Sequence, residues 1–188
     1  MRPDIKSCID AFDDRRTGEG NPTWNISPEV GNFLYRTITE ARSKRALEIG
    51  TSTGYSALWL AAGLTLTGGH LYTIESHAER YEAARNLFDT VNLTDTIITQ
   101  IKGHAPEVLS EVGGSFDFVF LDATKVEHRS YIEALEHRIL PGGIIITDNV
   151  DSHRDALSTY LDFLSSHPDF SNQYLPIGTG LLISTKIP

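Results

Sequence analysis

Residues 46–75 read ALEIGTSTGYSALWLAAGLTLTGGHLYTIE: a short apolar run, a glycine-containing loop, a helical stretch and a second apolar run. That order is how a strand, its crossover helix and a parallel neighbouring strand look in one dimension. Working outward, further apolar runs occupy 96–101, 116–121 and 143–147. Between them Tyr81, Ala84, Phe88 and Val91 recur at helical spacing, as do His128, Tyr131, Ile132, Leu135 and Ile139, and later Leu157, Tyr160, Leu161 and Leu164. Ser27 followed by Pro28 and Glu29 predicts a capped helix running to about Arg42. Toward the C-terminus, runs at 173–177 and 181–187 flank Gly178-Thr179-Gly180 and predict an antiparallel hairpin. The fold class expected is α/β: a mostly parallel twisted sheet with a C-terminal antiparallel hairpin and helices on both faces. Residues 1–26 read as a short helix and a loop, and residues 27–188 as one domain. The loop opens near Arg15, because Gly18, Gly20, Pro22 and Pro28 cluster beyond it.

The chain has 188 residues, of which 40% are hydrophobic and 22% charged, values that suit one core. Sixteen Lys and Arg against 25 Asp and Glu leave a formal charge of −9, so there is no general field for a polyanion and a nucleic-acid partner is not expected. The acidity is local. Residues 1–45 hold eight Lys and Arg against seven Asp and Glu, and residues 46–188 hold eight against 18. The single cysteine, Cys8, makes neither an internal disulfide nor a thiolate metal cage. The opening MRPDIKSCIDAFDD places acids where a secretory peptide needs an apolar run, and no stretch approaches the roughly 20 apolar residues of a membrane span. A cytoplasmic location without membrane contact is the expectation.

The first apolar run enters Glu48-Ile49-Gly50-Thr51-Ser52-Thr53-Gly54-Tyr55-Ser56, whose glycines permit a tight turn that a ligand can approach closely. A dinucleotide fingerprint needs three glycines and a helix N-terminus facing pyrophosphate, whereas here Gly50 and Gly54 follow an acidic Glu48. A carboxylate there repels pyrophosphate and suits a positive centre, such as the amino group and sulfonium of S-adenosylmethionine. Glu75, ending the second run, is placed to accept hydrogen bonds from two ribose hydroxyls. Taken singly, each signal has a plainer alternative: a structural glycine turn, and a solvated strand end.

Two further runs end in Asp122 and in Asp148-Asn149, which brings two carboxylates and an amide to the carboxyl edge of the sheet. Hard oxygen donors in an incomplete set favour a magnesium-like ion, and zinc lacks the Cys or clustered His it prefers. The alternative is a helix cap at Asp122 and a turn at Asp148-Asn149. Lys125 is placed in the first turn of the helix after Asp122. Beside a cation its pKa would fall toward the range of a general base; the alternative is a solvated lysine.

LEIGTSTGYSALWLA at 47–61, FDFVFLDATK at 116–125, LPGGIIITDNV at 140–150 and LPIGTGLLISTK at 175–186 resemble the cation-dependent, S-adenosylmethionine-dependent O-methyltransferases, the group of catechol and caffeoyl-CoA methyltransferases and their bacterial relatives. The resemblance runs from about Ile26 to Lys186 and implies a Rossmann-like methyltransferase fold. Matched position by position, Glu48, Gly50, Ser56 and Glu75 would bind S-adenosylmethionine, together with Thr51, Ser52, Gly54 and Tyr55 of the same loop and Asp122 beside it. Gly103-His104-Ala105 stands where the family often has Gly-Asp-Ala near the adenine. Asp122, Asp148 and Asn149 would hold Mg2+ or another divalent cation, and Lys125 would be the catalytic base. The chain also departs from the family. Thr124 replaces the second Asp of Asp-Ala-Asp-Lys, His128 stands at a tyrosine place while Tyr131 keeps the next aromatic one, and Thr179 replaces Asp in Pro-Ile-Gly-Asp-Gly. Most of the loop that relatives use to cover the acceptor and pair subunits is missing between Asn149 and Leu175, which implies a more open acceptor pocket.

The reaction implied is methyl transfer to a hydroxyl of a small-molecule acceptor with vicinal oxygens, such as a catechol. Trp24, Tyr55, Trp59 and Tyr131 are candidates to wall a flat acceptor, Trp24 before the others, with Trp59 read as packing. Two other readings stay open. One is a transfer RNA hydroxyuridine methyltransferase using Arg15, Arg16, Arg36, Arg42, Lys44 and Arg45 as a local patch. The other is a module that binds S-adenosylmethionine without turnover. For the small-molecule methyltransferase reading, a homodimer is an expected option. His70, His77, His137, His153 and His167 show no metal-ligand spacing.

Overall fold

The structure, a computed structural model, describes residues 1–19 and 25–187; Trp24, and with it Gly20 and Pro22, lie outside the described residues. Strand β1 (Arg45–Ile49) runs between β2 (His70–Glu75) and β4 (Phe116–Leu121) and is parallel to both. Beyond them β3 (Ile98–Lys102) pairs with β2 and β5 (Ile139–Thr147) with β4, also in parallel. Strand β7 (Leu181–Lys186) joins β5 antiparallel, and β6 (Phe170–Leu175) closes the edge, giving the order β3-β2-β1-β4-β5-β7-β6. The chain steps outward from β1 on one side and resumes at β4 on the other. A crevice therefore opens between the carboxyl ends of β1 and β4, the place where α/β sheets take ligands.

Helices cover both faces because the central strands are apolar on both. Ala46, Leu71, Ile98, Phe118, Phe120 and Ile146 face α1 (Pro3–Glu19), α2 (Pro28–Glu40), α3 (Tyr55–Thr67) and α4 (Ala78–Thr90). Leu47, Ile49, Ile74, Val119, Leu121 and Ile145 face α5 (Ala105–Val108), α6 (His128–Leu135) and α7 (Arg154–Ser166). Burial on both faces is why these strands read as continuous apolar runs rather than alternating ones. Each enclosed Phe contributes roughly 1.5–3 kcal/mol. Helix α2 begins as its sequence directs: Ser27 Oγ accepts from the Val30 amide at 3.2 Å, and Pro28 takes the first turn.

Several boundaries differ from the sequence reading. Helix α1 continues to Glu19 through the expected loop: Arg15 bonds the Ala11 carbonyl and lies 4.7 Å from the Phe12 ring, and Gly18 falls in a last turn where its backbone freedom costs little. Ile5 and Ile9 of α1 are buried in the same core as α3. Strand β5 starts at Ile139, not Gly143, because Ile139 pairs with Phe116 and an irregularity between Phe116 and Phe118 absorbs Pro141-Gly142. Strand β6 starts at Phe170, whose buried ring ties it beside Lys186. Lys125 is not in an α-helical turn but opens a 3-10 turn, Lys125–Glu127, that precedes α6.

Candidate functional site

A cleft of about 390 Å³ lies over the crevice. One wall carries Gly50, Ser52, Glu75, Gly103, His104 and Ala105; the other carries Asp122, Thr124, Lys125, Tyr131, Asn149 and His153. Of the residues singled out in the glycine loop, only Gly50 and Ser52 reach the lining. Glu75 is held across the loop: its Oε2 accepts from the Ser52 amide at 2.8 Å and its Oε1 from the His77 amide at 2.7 Å.

Glu48, Thr51, Gly54, Tyr55 and Ser56, and on the other side Asp148, are buried and do not line the cleft. Glu48 is fully buried, with Oε1 accepting from Ser56 Oγ and Oε2 from Thr73 Oγ1, both at 2.5 Å, while the hydroxyls of Thr51 and Thr73 meet at 2.5 Å. Burial raises the Glu48 pKa to about 7, against the pull of those two donors. Gly54 caps α3 at φ +95°, where a Cβ would stand 2.8 Å from the Phe88 ring. The Tyr55 hydroxyl points away from the cleft and donates to Asp13 Oδ1 of α1 at 2.6 Å; Trp59 packs edge-on against its ring.

The second wall concentrates charge. Lys125 Nζ donates to Asp122 Oδ1 at 2.6 Å. The Asp122 pKa is raised to about 6, chiefly by burial, against the pull of Lys125 and with a further push from Asp148, so Asp122 lies in the field of Asp148. Asp148, 2% exposed, is also raised, chiefly by burial. Its Oδ1 accepts from the Asn149 amide at 2.7 Å and from Thr179 Oγ1 at 2.9 Å. Asn149 sits at φ +66°, a conformation Asn tolerates, and its Nδ2 donates to Thr179 Oγ1 at 2.9 Å. One oxygen each of Asp122, Asp148 and Asn149 has no protein hydrogen bond among the described residues. Hard oxygens beside two mutually repelling carboxylates fit a divalent cation. Among the described residues no cluster of three or more His, Cys, Asp or Glu side chains could hold a metal.

A family model described as O-methyltransferase matches residues 8–158. The chain belongs to the O-methyltransferase family. It is 34% identical over 136 residues to catechol O-methyltransferase from Niastella koreensis, a match covering 70% of this chain and 60% of the relative. It is 31% identical over 129 residues to catechol O-methyltransferase from Mycobacterium tuberculosis, covering 69% and 58%. The matched segment thus spans less than two thirds of either relative. The O-methyltransferase from Bacillus cereus in complex with SAH superposes with a TM-score of 0.83 at 26% identity, covering 96% of this chain and 90% of that one. The fold is the Rossmann-like one of S-adenosylmethionine-dependent methyltransferases.

The sequence reading names Thr179 only as a departure from the family pattern and places neither it nor Arg80 nor His153 in the site. Thr179 clamps both Asp148 and Asn149, and its signal was present in the Pro-Ile-Gly-Thr-Gly turn facing β5. Arg80 and His153 line the cleft with no spacing to mark them. His128 is fully buried between the Tyr131 and Tyr160 rings; its Nδ1 lies 3.1 Å from the Thr124 carbonyl, and its Nε2 has no hydrogen-bond partner among the described residues. Of the basic residues considered as a patch, Arg36 pairs with Glu40, Lys44 holds the Thr67 carbonyl, and Arg45 lies over the Tyr72 ring. Among the described residues no helix is long and apolar enough to cross a membrane.

Two buried groups give opposite pH dependences. Folded Glu48 keeps its proton up to about pH 7, whereas an unfolded Glu loses it near 4.5. Its contribution is therefore complete below 4.5 and is lost as pH rises through 7, at up to about 1.4 kcal/mol per pH unit. Burial pushes His128 down to about 4 from 6.5, so its contribution is complete above 6.5 and is lost as pH falls through 4. Relative to wild type, Glu48→Gln should gain stability steadily from pH 5 to 7, and His128→Phe should gain it from pH 6.5 down to 4.5. Urea unfolding across that range measures both, and variant curves parallel to wild type would contradict the assignment.

Proposed function

We propose that the chain transfers a methyl group from S-adenosylmethionine to one hydroxyl of a small vicinal-diol acceptor of the catechol type, with Mg2+ or a similar cation held by Asp122, Asp148 and Asn149. One observation carries this reading: a single cleft joins the glycine loop and Glu75 to Asp122, with Lys125 on it, and to Asn149, next to the buried Asp148. The names of the relatives from Niastella koreensis and Mycobacterium tuberculosis point the same way.

When bound, a divalent ion supplies Lewis acidity that eases ionisation of an acceptor hydroxyl. The chain's own residues do the rest. Glu75 accepts hydrogen bonds from the ribose hydroxyls, and the backbone at Gly50 allows the donor to approach the sheet edge closely. Asp148 and Asn149, clamped by Thr179, keep their oxygens in place without reorganisation. Lys125, whose Nζ stands 2.6 Å from Asp122 Oδ1, would take the hydroxyl proton at Nζ in its neutral amine form. Tyr131 and Lys125 narrow the wall against water, so the approaching oxygen and sulfonium charges cancel in a drier space.

Incubation with isotopically labelled S-adenosylmethionine, Mg2+ and a panel of catechols should give labelled methyl ethers, and an excess of EDTA should suppress the product by at least about tenfold. Transfer that is indifferent to EDTA would remove the cation from the reading. Tight binding of S-adenosylhomocysteine without transfer to any diol would favour a donor-binding module instead.

A further inference from the structure

The two walls of the cleft are bridged by one side-chain hydrogen-bonded contact among the described residues. His104 Nε2 lies 3.0 Å from both carboxylate oxygens of Glu127, and the Tyr131 hydroxyl donates to Glu127 Oε2 at 2.6 Å. An ionised Glu127 only accepts, so His104 must present Nε2–H to it. Tyr131 is 2% exposed and packed in the core. Glu127 is thus anchored to the core on one side and to the opposite wall on the other.

Glu127 ends the three-residue 3-10 turn that Lys125 opens. Such a turn has poor hydrogen-bond geometry and does little by itself to fix a side chain. Lys125 is nevertheless held within 2.6 Å of Asp122 Oδ1 with its side chain 13% exposed. His104 follows Gly103 at the end of β3, beyond Glu75, on the wall where the base of a donor with its ribose on Glu75 would extend.

We propose that Glu127 is the positioning residue for Lys125, and that through His104 it makes the placement of that amine depend on the wall that receives the donor's base. The proposal rests on the reading of Lys125 as the proton acceptor and of this cleft as the donor site. In mechanical terms, a ligand resting on His104 steadies Glu127, and Glu127 steadies the turn.

The test compares Glu127→Ala, Glu127→Gln, His104→Ala and the double variant H104A/E127A. For methyl transfer to a catechol, E127A should lower kcat by about tenfold to a hundredfold, with the KM for the donor within about threefold of wild type. E127Q, which keeps an acceptor oxygen, should recover most of the loss. The double variant should be no slower than the worse single one, because both changes cut the same link. A readout independent of turnover is acetylation of Lys125 by acetic anhydride, followed by peptide mass spectrometry. Wild type should react slowly, and more slowly still with saturating S-adenosylhomocysteine; E127A should react faster and ignore the ligand. Losses that multiply in the double variant, or labelling in E127A that responds to S-adenosylhomocysteine as wild type does, would overturn the proposal. If wild type binds S-adenosylhomocysteine yet methylates no diol, the functional reading fails, and the labelling comparison alone decides the role of Glu127.

Discussion

Asp122→Ala is expected to lower methyl transfer by about a thousandfold or more while leaving the affinity for S-adenosylhomocysteine within about threefold of wild type. The Asp122 carboxylate meets Lys125 Nζ at 2.6 Å and lies in the field of Asp148, and the residue's backbone carbonyl lies under the glycine loop. The substitution removes the carboxylate and keeps the backbone, so the loop and Glu75 remain as they are. Stability should change little. Removing one partner of a buried ion pair leaves Lys125 without its counter-charge, a loss of about 3–5 kcal/mol in a fully enclosed site. Relief of the strain between two raised carboxylates and the partial exposure of Lys125 offset much of that. Asp122→Asn, with the same shape and no charge, should lose turnover to a similar degree. Radiolabel transfer, calorimetry with S-adenosylhomocysteine and thermal melting measure the three quantities. Loss of nucleoside binding with an intact response to Mg2+ would show that Asp122 serves the donor and not a cation.

The second large effect is expected at Gly50. Its φ is +104°, and a Cβ there would stand 2.3 Å from the carbonyl oxygen of Asp122 and 2.8 Å from its carbon. Both are backbone atoms of a central strand's end, tied in turn by the Asp122 amide to the Ile49 carbonyl at 3.0 Å, so neither can swing aside. Strain at such a φ costs on the order of 1–3 kcal/mol before the clash is counted. Gly50→Ala should therefore destabilise the protein by about 3 kcal/mol or more. The melting temperature should fall by roughly 6–12 °C, and the loop should part from the second wall. Binding of S-adenosylhomocysteine should be lost with it. Gly113→Ala, at a position where an added Cβ meets nothing within 4 Å, is the control and should stay within about 0.5 kcal/mol of wild type. A Gly50→Ala protein with unchanged melting and binding would mean that the loop and the Asp122 end do not pack as described.

Most of the architecture was legible in the sequence because local patterns carry it. The apolar runs that open and close 46–75 and the run at 116–121 form β1, β2 and β4, and Ser27-Pro28 marks a real helix start. Boundaries were less legible where pairing overrides pattern. Ile139 has helical spacing from Leu135 yet joins the sheet because Phe116 offers it a partner. The same divide runs through the site. Residues at strand ends, such as Glu75, Asp122, Asp148 and Asn149, can be placed from the chain's order, since parallel strands deliver their carboxyl ends to one edge.

The direction of each side chain could not be placed in that way. Alternation along a strand says that Glu48 and Ile49 face opposite sides, but both sides are covered here, so polarity alone could not tell a ligand contact from a buried brace. Only the packed structure decided that Glu48 bonds Ser56 and Thr73 under the loop, that Tyr55 reaches back to Asp13, and that Thr179 and Glu127, 31 and 23 positions from Asp148 and His104, close on them. The physical reason is range: periodicity, caps and turns act over a few residues and are written in local sequence, whereas a hydrogen bond between distant segments exists only once the sheet has set their separation.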